Sequence, residues 1–180
     1  MSQAQTAEDR NCYLQALYNE YQLLSNGDKA SIRRCVEPDD LLITPAFLRL
    51  ISEVMGRFNG TERANAAEFF NHLSQIARIV YVLPFAKPSG NSLGAVFNKQ
   101  EVSERRLFLV MRSEYPQDLI QLRRLCQQCK DADMDGLKLA NLLLYWGKDK
   151  ATSEGSKRQL MKDFYLFNHQ PAEEVVDADY

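Results

Sequence analysis

The sequence predicts an all-α protein, a two-lobed helical bundle of about eight or nine helices. Three observations carry this. Leu and Ala together number 39 against 19 for Val, Ile and Thr, a balance that favours helix over sheet. Only 8 Gly and 6 Pro punctuate the 180 residues. Apolar side chains recur at i, i+3, i+4 and i+7 through most segments, the spacing of a helix with one buried face.

Taken in order, Thr6 suits the cap of a first helix with Asp9 in its first turn, and Tyr13, Leu14, Leu17, Tyr18, Tyr21 and Leu24 form its stripe. Asn26-Gly27 is the expected stop. A short helix from Asp28 to about Cys35 carries Arg33-Arg34, and Glu37-Pro38-Asp39-Asp40 breaks it. Thr44-Pro45 opens the next, which runs to Met55-Gly56 with Phe47, Leu50, Ile51 and Val54 inward. After the turn Asn59-Gly60-Thr61, a single long helix is expected to about Val82, burying Ala66, Phe69, Phe70, Leu73, Ile76, Ala77 and Val80. Pro84 to Asn91 reads as a loop and as the boundary between lobes, 1–83 and 92–168. Ser92-Leu93-Gly94 opens a short helix.

Two helices joined at Tyr115-Pro116 follow, the first capped by Ser103. Leu107, Val110 and Met111 share the inner face of the first, and Leu119, Leu122 and Cys126 that of the second. Asp135 to Gly147 is another helix, with Leu139, Leu142, Leu143 and Trp146 inward. Lys148 to Gly155 reads as a flexible turn and Ser156 as the cap of a last helix that buries Leu160, Phe164 and Phe167. Residues 169–180 read as a disordered acidic tail, with Glu173, Glu174, Asp177 and Asp179 uncompensated.

The net charge of −2 excludes a molecule that is basic throughout. With the first ten and last eight residues set aside, 21 basic and 18 acidic residues remain, a body that permits local basic patches. Residues 1 to 11 are polar and no run approaches the roughly 20 apolar residues of a membrane span, so no signal peptide and no membrane are expected. Four cysteines in such a chain read as reduced thiols in the cytoplasm.

The densest chemical signal is Arg105, Arg106, Arg112, Arg123 and Arg124, five arginines within twenty residues. Arg105 and Arg112 fall nearly in line, two turns or roughly 10.5 Å apart, opposite the apolar face. Guanidinium forks match phosphate oxygens. The competing reading is a solvated outer face, with Glu104 and Glu114 close enough to pair. Asp131-x-Asp133-x-Asp135-Gly136 imitates a calcium loop, but its twelfth position is Leu142 where a bidentate Glu is required. Cys126-x-x-Cys129 lacks the second ligand pair that zinc needs. Neither His72 nor His169 stands in a nucleophile–base pattern. No enzyme, cofactor or metal is expected. Tyr145-Trp146 beside Lys148 suits base stacking, and a tryptophan closing a helix core is the favoured alternative.

G-D-K-A-S-I-R-R-C-V-E-P-D-D-L (Gly27 to Leu41), P-A-F-L-R-L (Pro45 to Leu50), S-L-G (Ser92 to Gly94), E-R-R-L-F (Glu104 to Phe108), Q-L-R-R-L (Gln121 to Leu125) and Y-W-G-K (Tyr145 to Lys148) together resemble the CasB family. That family is the small subunit of the type I-E CRISPR surveillance complex, Cascade. The likeness spans Gly27 to about Phe167. It implies an all-helical, non-catalytic subunit, present as a pair, set against the backbone and large subunits of Cascade. It further implies support of the guide RNA–target DNA hybrid and of the displaced strand. The positions it marks for nucleic-acid binding are Arg33, Arg34, Arg105, Arg106, Arg112, Arg123, Arg124 and Lys148, with Arg33 and Arg123 open to a structural role instead. Two departures stand out: Asp149 where another base is expected, and Tyr115-Pro116 where relatives can place one. The rival readings are a helical protein–protein adaptor and a metal-dependent nuclease built on Asp131 to Asp135.

Overall fold

The computed structural model describes residues 3–167, so the expected acidic tail lies outside the described residues. Ten α-helices follow one another: α1 Gln3–Leu23, α2 Asn26–Arg34, α3 Pro45–Gly56, α4 Gly60–Phe70, α5 Leu73–Val82, α6 Leu93–Lys99, α7 Glu104–Arg112, α8 Gln117–Gln128, α9 Gly136–Leu144 and α10 Lys150–Leu166. Two 3₁₀ turns, Pro38–Ile43 and Leu83–Phe85, complete the order. No strand occurs among the described residues. Two isolated parallel bridges pair Lys87 with Asp135 and Asn91 with Met134. The chain is all-α, as the composition predicts, with slightly more helices than the apolar stripes distinguish.

The hub is α5. Every residue from Ile76 to Val82 is buried, and the helix packs against the Pro38–Ile43 turn, α2, α8 and α9. Around it one hydrophobic cluster runs from Tyr13 and Leu17 on α1 through Phe47, Leu107 and Trp146 to Phe164 on α10. The loop 84–91 is tied to the start of α9 by backbone bonds, Lys87 N to Met134 O at 2.7 Å and Asn91 N to Asp133 O at 2.8 Å.

Four boundaries differ from expectation, each for a local reason. Thr6 lies inside α1, because nothing in Gln3 to Gln5 breaks a helix. Asn26-Gly27 begins α2 rather than ending α1: Ser25 is the cap, its Oγ accepting from Asp28 N at 3.1 Å. The long helix divides at His72, whose φ of −80° and ψ of 57° are not helical. A straight rod would not let α4 lie on α3 while α5 enters the core. Finally, the expected flexible turn is the start of α10. Asp149 caps it by accepting from Thr152 N at 2.8 Å, and Ser156 is buried mid-helix.

Gly94 sets the spacing of the second half. A Cβ there would lie 2.5 Å from Leu160 O and 2.6 Å from Phe164 N, so only glycine lets α6 rest directly on α10.

Candidate nucleic-acid interface

The arginine-bearing α7 and α8 form an antiparallel pair. Leu107 and Val110 of α7 and Leu119, Leu122 and Cys126 of α8 are buried, and these side chains fix which faces look outward. Arg106 ties the start of α7 to the end of α8, its Nη1 donating to Gln128 Oε1 at 2.9 Å. Arg105 and Arg112 are exposed, and the Arg112 guanidinium lies 6.0 Å from the Phe108 ring. Arg124 is exposed on α8.

Arg123 has a different place. It is buried, its guanidinium stacks 4.1 Å over the Tyr81 ring, and its two terminal nitrogens donate to Cys35 O at 2.7 Å and Arg33 O at 2.6 Å. A cation thus meets the last carbonyls of α2, where the helix dipole is negative. The fork docks the end of α2 on α8 and so brings Arg33 and Arg34 beside Arg124's helix. Arg33 turns its Nε back to Lys29 O at 3.3 Å, while Arg34 is exposed without a polar side-chain contact among the described residues.

Lys148 is exposed past α9, with Nζ 5.9 Å from the Tyr145 ring. Trp146 is fully buried and donates Nε1–H to Asp118 Oδ2 at 2.9 Å, so it is a core residue and not a stacking platform. Lys157 Nζ also meets Asp118 Oδ2, at 3.1 Å. Among the described residues no carboxylate forms an ion pair with Arg33, Arg34, Arg105, Arg106, Arg112, Arg124 or Lys148; the three ion pairs are Arg49–Asp28, Arg57–Glu20 and Lys157–Asp118. Glu104 and Glu114, the neighbours best placed by sequence to neutralise α7, do not do so.

Along 170 residues the chain is 33% identical to CRISPR system Cascade subunit CasB of Escherichia coli (strain K12), covering 87% of this chain and 95% of that protein. The chain belongs to the CasB family. The chain also superposes on a chain in the crystal structure of E. coli Cascade bound to a PAM-containing double-stranded DNA target, with a TM-score of 0.62 and 30% identity over 86% of this chain and 95% of that one. No family model matches the chain.

Both departures from the CasB pattern have local work to do. Asp149 caps α10, and its carboxyl lies below the usual carboxylate range, chiefly because Thr152 N–H bonds the charged form. Tyr115 follows α7 and its hydroxyl donates to Asp39 Oδ1 at 2.6 Å, tying the α7–α8 corner to the Pro38–Ile43 turn. The Tyr115-Pro116 peptide is cis. Asp135, the last aspartate of the calcium-like run, caps α9 by accepting from Leu137 N and Lys138 N, each at 2.9 Å. Cys126 and Cys129 are both buried, and burial pushes the Cys126 thiol well up. No helix among the described residues is long and apolar enough to cross a membrane.

One basic residue escaped the sequence reading. Arg78 sits in the middle of α5, packed between the Tyr115 ring, 4.8 Å away, and the backbone of Gly147. An arginine inside the run Ile76 to Val82 was the available signal.

Proposed function

We propose that this CasB-family chain is a non-catalytic small subunit of an RNA-guided DNA surveillance complex of the Cascade type. It stabilises the guide–target hybrid and the displaced DNA strand through charge contacts to phosphates. Its partners are the backbone and large subunits, a second copy of itself, the guide RNA and the target DNA. The observation that carries the reading is the set of exposed arginines on α2, α7 and α8 that no carboxylate neutralises among the described residues. R-loop formation is a near-balanced exchange, so a few backbone contacts are enough to tip it. Such contacts need charge and reach but no base readout, because the guide supplies the sequence. Arg34, Arg105, Arg112 and Arg124 are the contacting residues; Arg106 and Arg123 hold helices in place.

The test is the double variant Arg105→Gln/Arg112→Gln in assembled complex. The expected outcome is a weaker R-loop with a strong salt dependence and an unchanged fold. A variant that locks DNA as well as the parent removes the electrostatic role. Phe108 and Leu109 on α7, with Tyr165 and Leu166 on α10, are exposed apolar side chains and favour a second reading, a protein–protein adaptor. Ultraviolet crosslinking of assembled complex to DNA separates the two: absence of any crosslink to α7 and α8 selects the adaptor.

A further inference from the structure

Where α4 gives way to α5, the surface opens into a cleft of about 530 Å³ lined by Asn71, His72, Ser74, Gln75, Arg78 and Lys148, with no carboxylate on its walls. Its floor is the first turn of α5. His72, the capping residue, makes no side-chain cap. Gln75 N and Ile76 N both donate to His72 O, at 2.9 and 3.2 Å, which leaves the N–H groups of Leu73 and Ser74 without a partner among the described residues. Unsatisfied N–H groups at the positive end of a ten-residue helix favour an anion there.

A second observation is independent of the helix end. Arg78 is only 9% exposed, and among the described residues its Nε has no hydrogen-bond partner; its guanidinium lies over the Tyr115 ring at 4.8 Å, acts on the Tyr115 hydroxyl and donates Nη1–H to Trp146 O at 3.2 Å. Among the described residues no carboxylate forms an ion pair with it. A buried cation so poorly matched is costly unless something negative compensates it. Ser74 and Arg78 are four residues apart and share a face of α5, and Lys148 reaches the same cleft from beyond α9.

We propose that this cleft is a seat for a single phosphate group, bound by the Leu73 and Ser74 amides, the Ser74 hydroxyl, Lys148 and Arg78. Its tetrahedral oxygens satisfy the open helix end and the buried guanidinium together. The phosphate belongs to a nucleic-acid strand; that source rests on the function proposed above, whereas the seat itself does not.

The experiment is an amide and arginine-side-chain NMR titration of the full chain, first with inorganic phosphate and then with a short thymidine oligonucleotide. With inorganic phosphate, the Leu73 and Ser74 amides and the Arg78 Nε–H shift together and saturate. Lys148→Gln and Arg78→Lys each weaken this by about tenfold. Lys148 is exposed, so its variant folds and the test stands even if the Arg78 variant does not. Absence of a saturable shift, or a shift indifferent to Lys148→Gln, overturns the seat. If inorganic phosphate moves these resonances and the oligonucleotide does not, the strand source falls. If the seat fails while the Arg105/Arg112 double variant still weakens the R-loop, only this inference is lost.

Discussion

Tyr115 shows how much one side chain at a corner decides. Burial pushes its phenol up to about 12, the hydrogen bond to Asp39 adds to the rise, and the Arg78 guanidinium partly offsets it. The protonated phenol is the form that the fold favours. Its contribution is therefore complete below the ordinary tyrosine value near 10 and is lost as pH climbs from there through about 12. A difference absorbance titration of the parent against Tyr115→Phe is expected to isolate one phenolate transition displaced toward pH 12; a transition near 10 would refute the burial. Gly147 is the second single-residue constraint. Its φ is +80°, and a Cβ there would sit 3.1 Å from Arg78 Cζ and 3.2 Å from Arg78 Nε. Gly147→Ala meets both penalties and should cost about 1–3 kcal/mol in chemical denaturation.

At the scale of helices, the joints matter more than the rods. The stripes were legible because a 3.6-residue period survives any packing arrangement: Leu14, Leu17, Phe47, Leu50, Leu107, Leu119 and Leu160 are all buried as their spacing implies. The joints were not, because caps compete. Ser25 and Asn26 are both good caps, and which one serves depends on where α1 leaves α3. At residue 149 an acidic side chain reads as a lost phosphate contact, whereas it is the N-cap that starts α10. The break at His72 has no sequence marker at all; it follows from α5 turning into the core, where every residue from Ile76 to Val82 is buried. The α2–α8 joint gives the prediction at this scale. Arg123→Ala leaves the Arg33 carbonyl of α2 and that of its capping residue Cys35 without their buried donor and strips the Tyr81 face. A loss of about 3 kcal/mol is expected, with hydrogen exchange at the end of α2 accelerated before the rest. Uniform exchange changes along the chain would contradict a local joint.

For the whole molecule, the proposed function asks how a chain of net charge −2 would grip a polyanion. The answer lies in placement. Arg34, Arg105, Arg112 and Arg124 come from three helices and form no ion pair among the described residues, while Arg49, Arg57 and Lys157 are committed to ion pairs within the fold. The same residue types thus occupy two kinds of place, and sequence spacing alone does not sort them: Arg123 and Arg124 are adjacent, yet one is buried against carbonyls and the other faces outward. Salt dependence does sort them. Each phosphate neutralised contributes about 0.9 to the slope of log affinity against log salt on duplex. Replacing Arg34, Arg105, Arg112 or Arg124 singly by Gln in the assembled complex should therefore lower the slope by about 1 each. The loss should be the same for every target sequence, since the proposed contacts are to phosphates and not to bases. Arg123→Lys should behave in the opposite way, lowering the melting temperature while leaving the slope where it was. Four glutamine variants that fold normally and keep the parent slope would place the strands elsewhere on the molecule, and the exposed arginines would then be a solvated face.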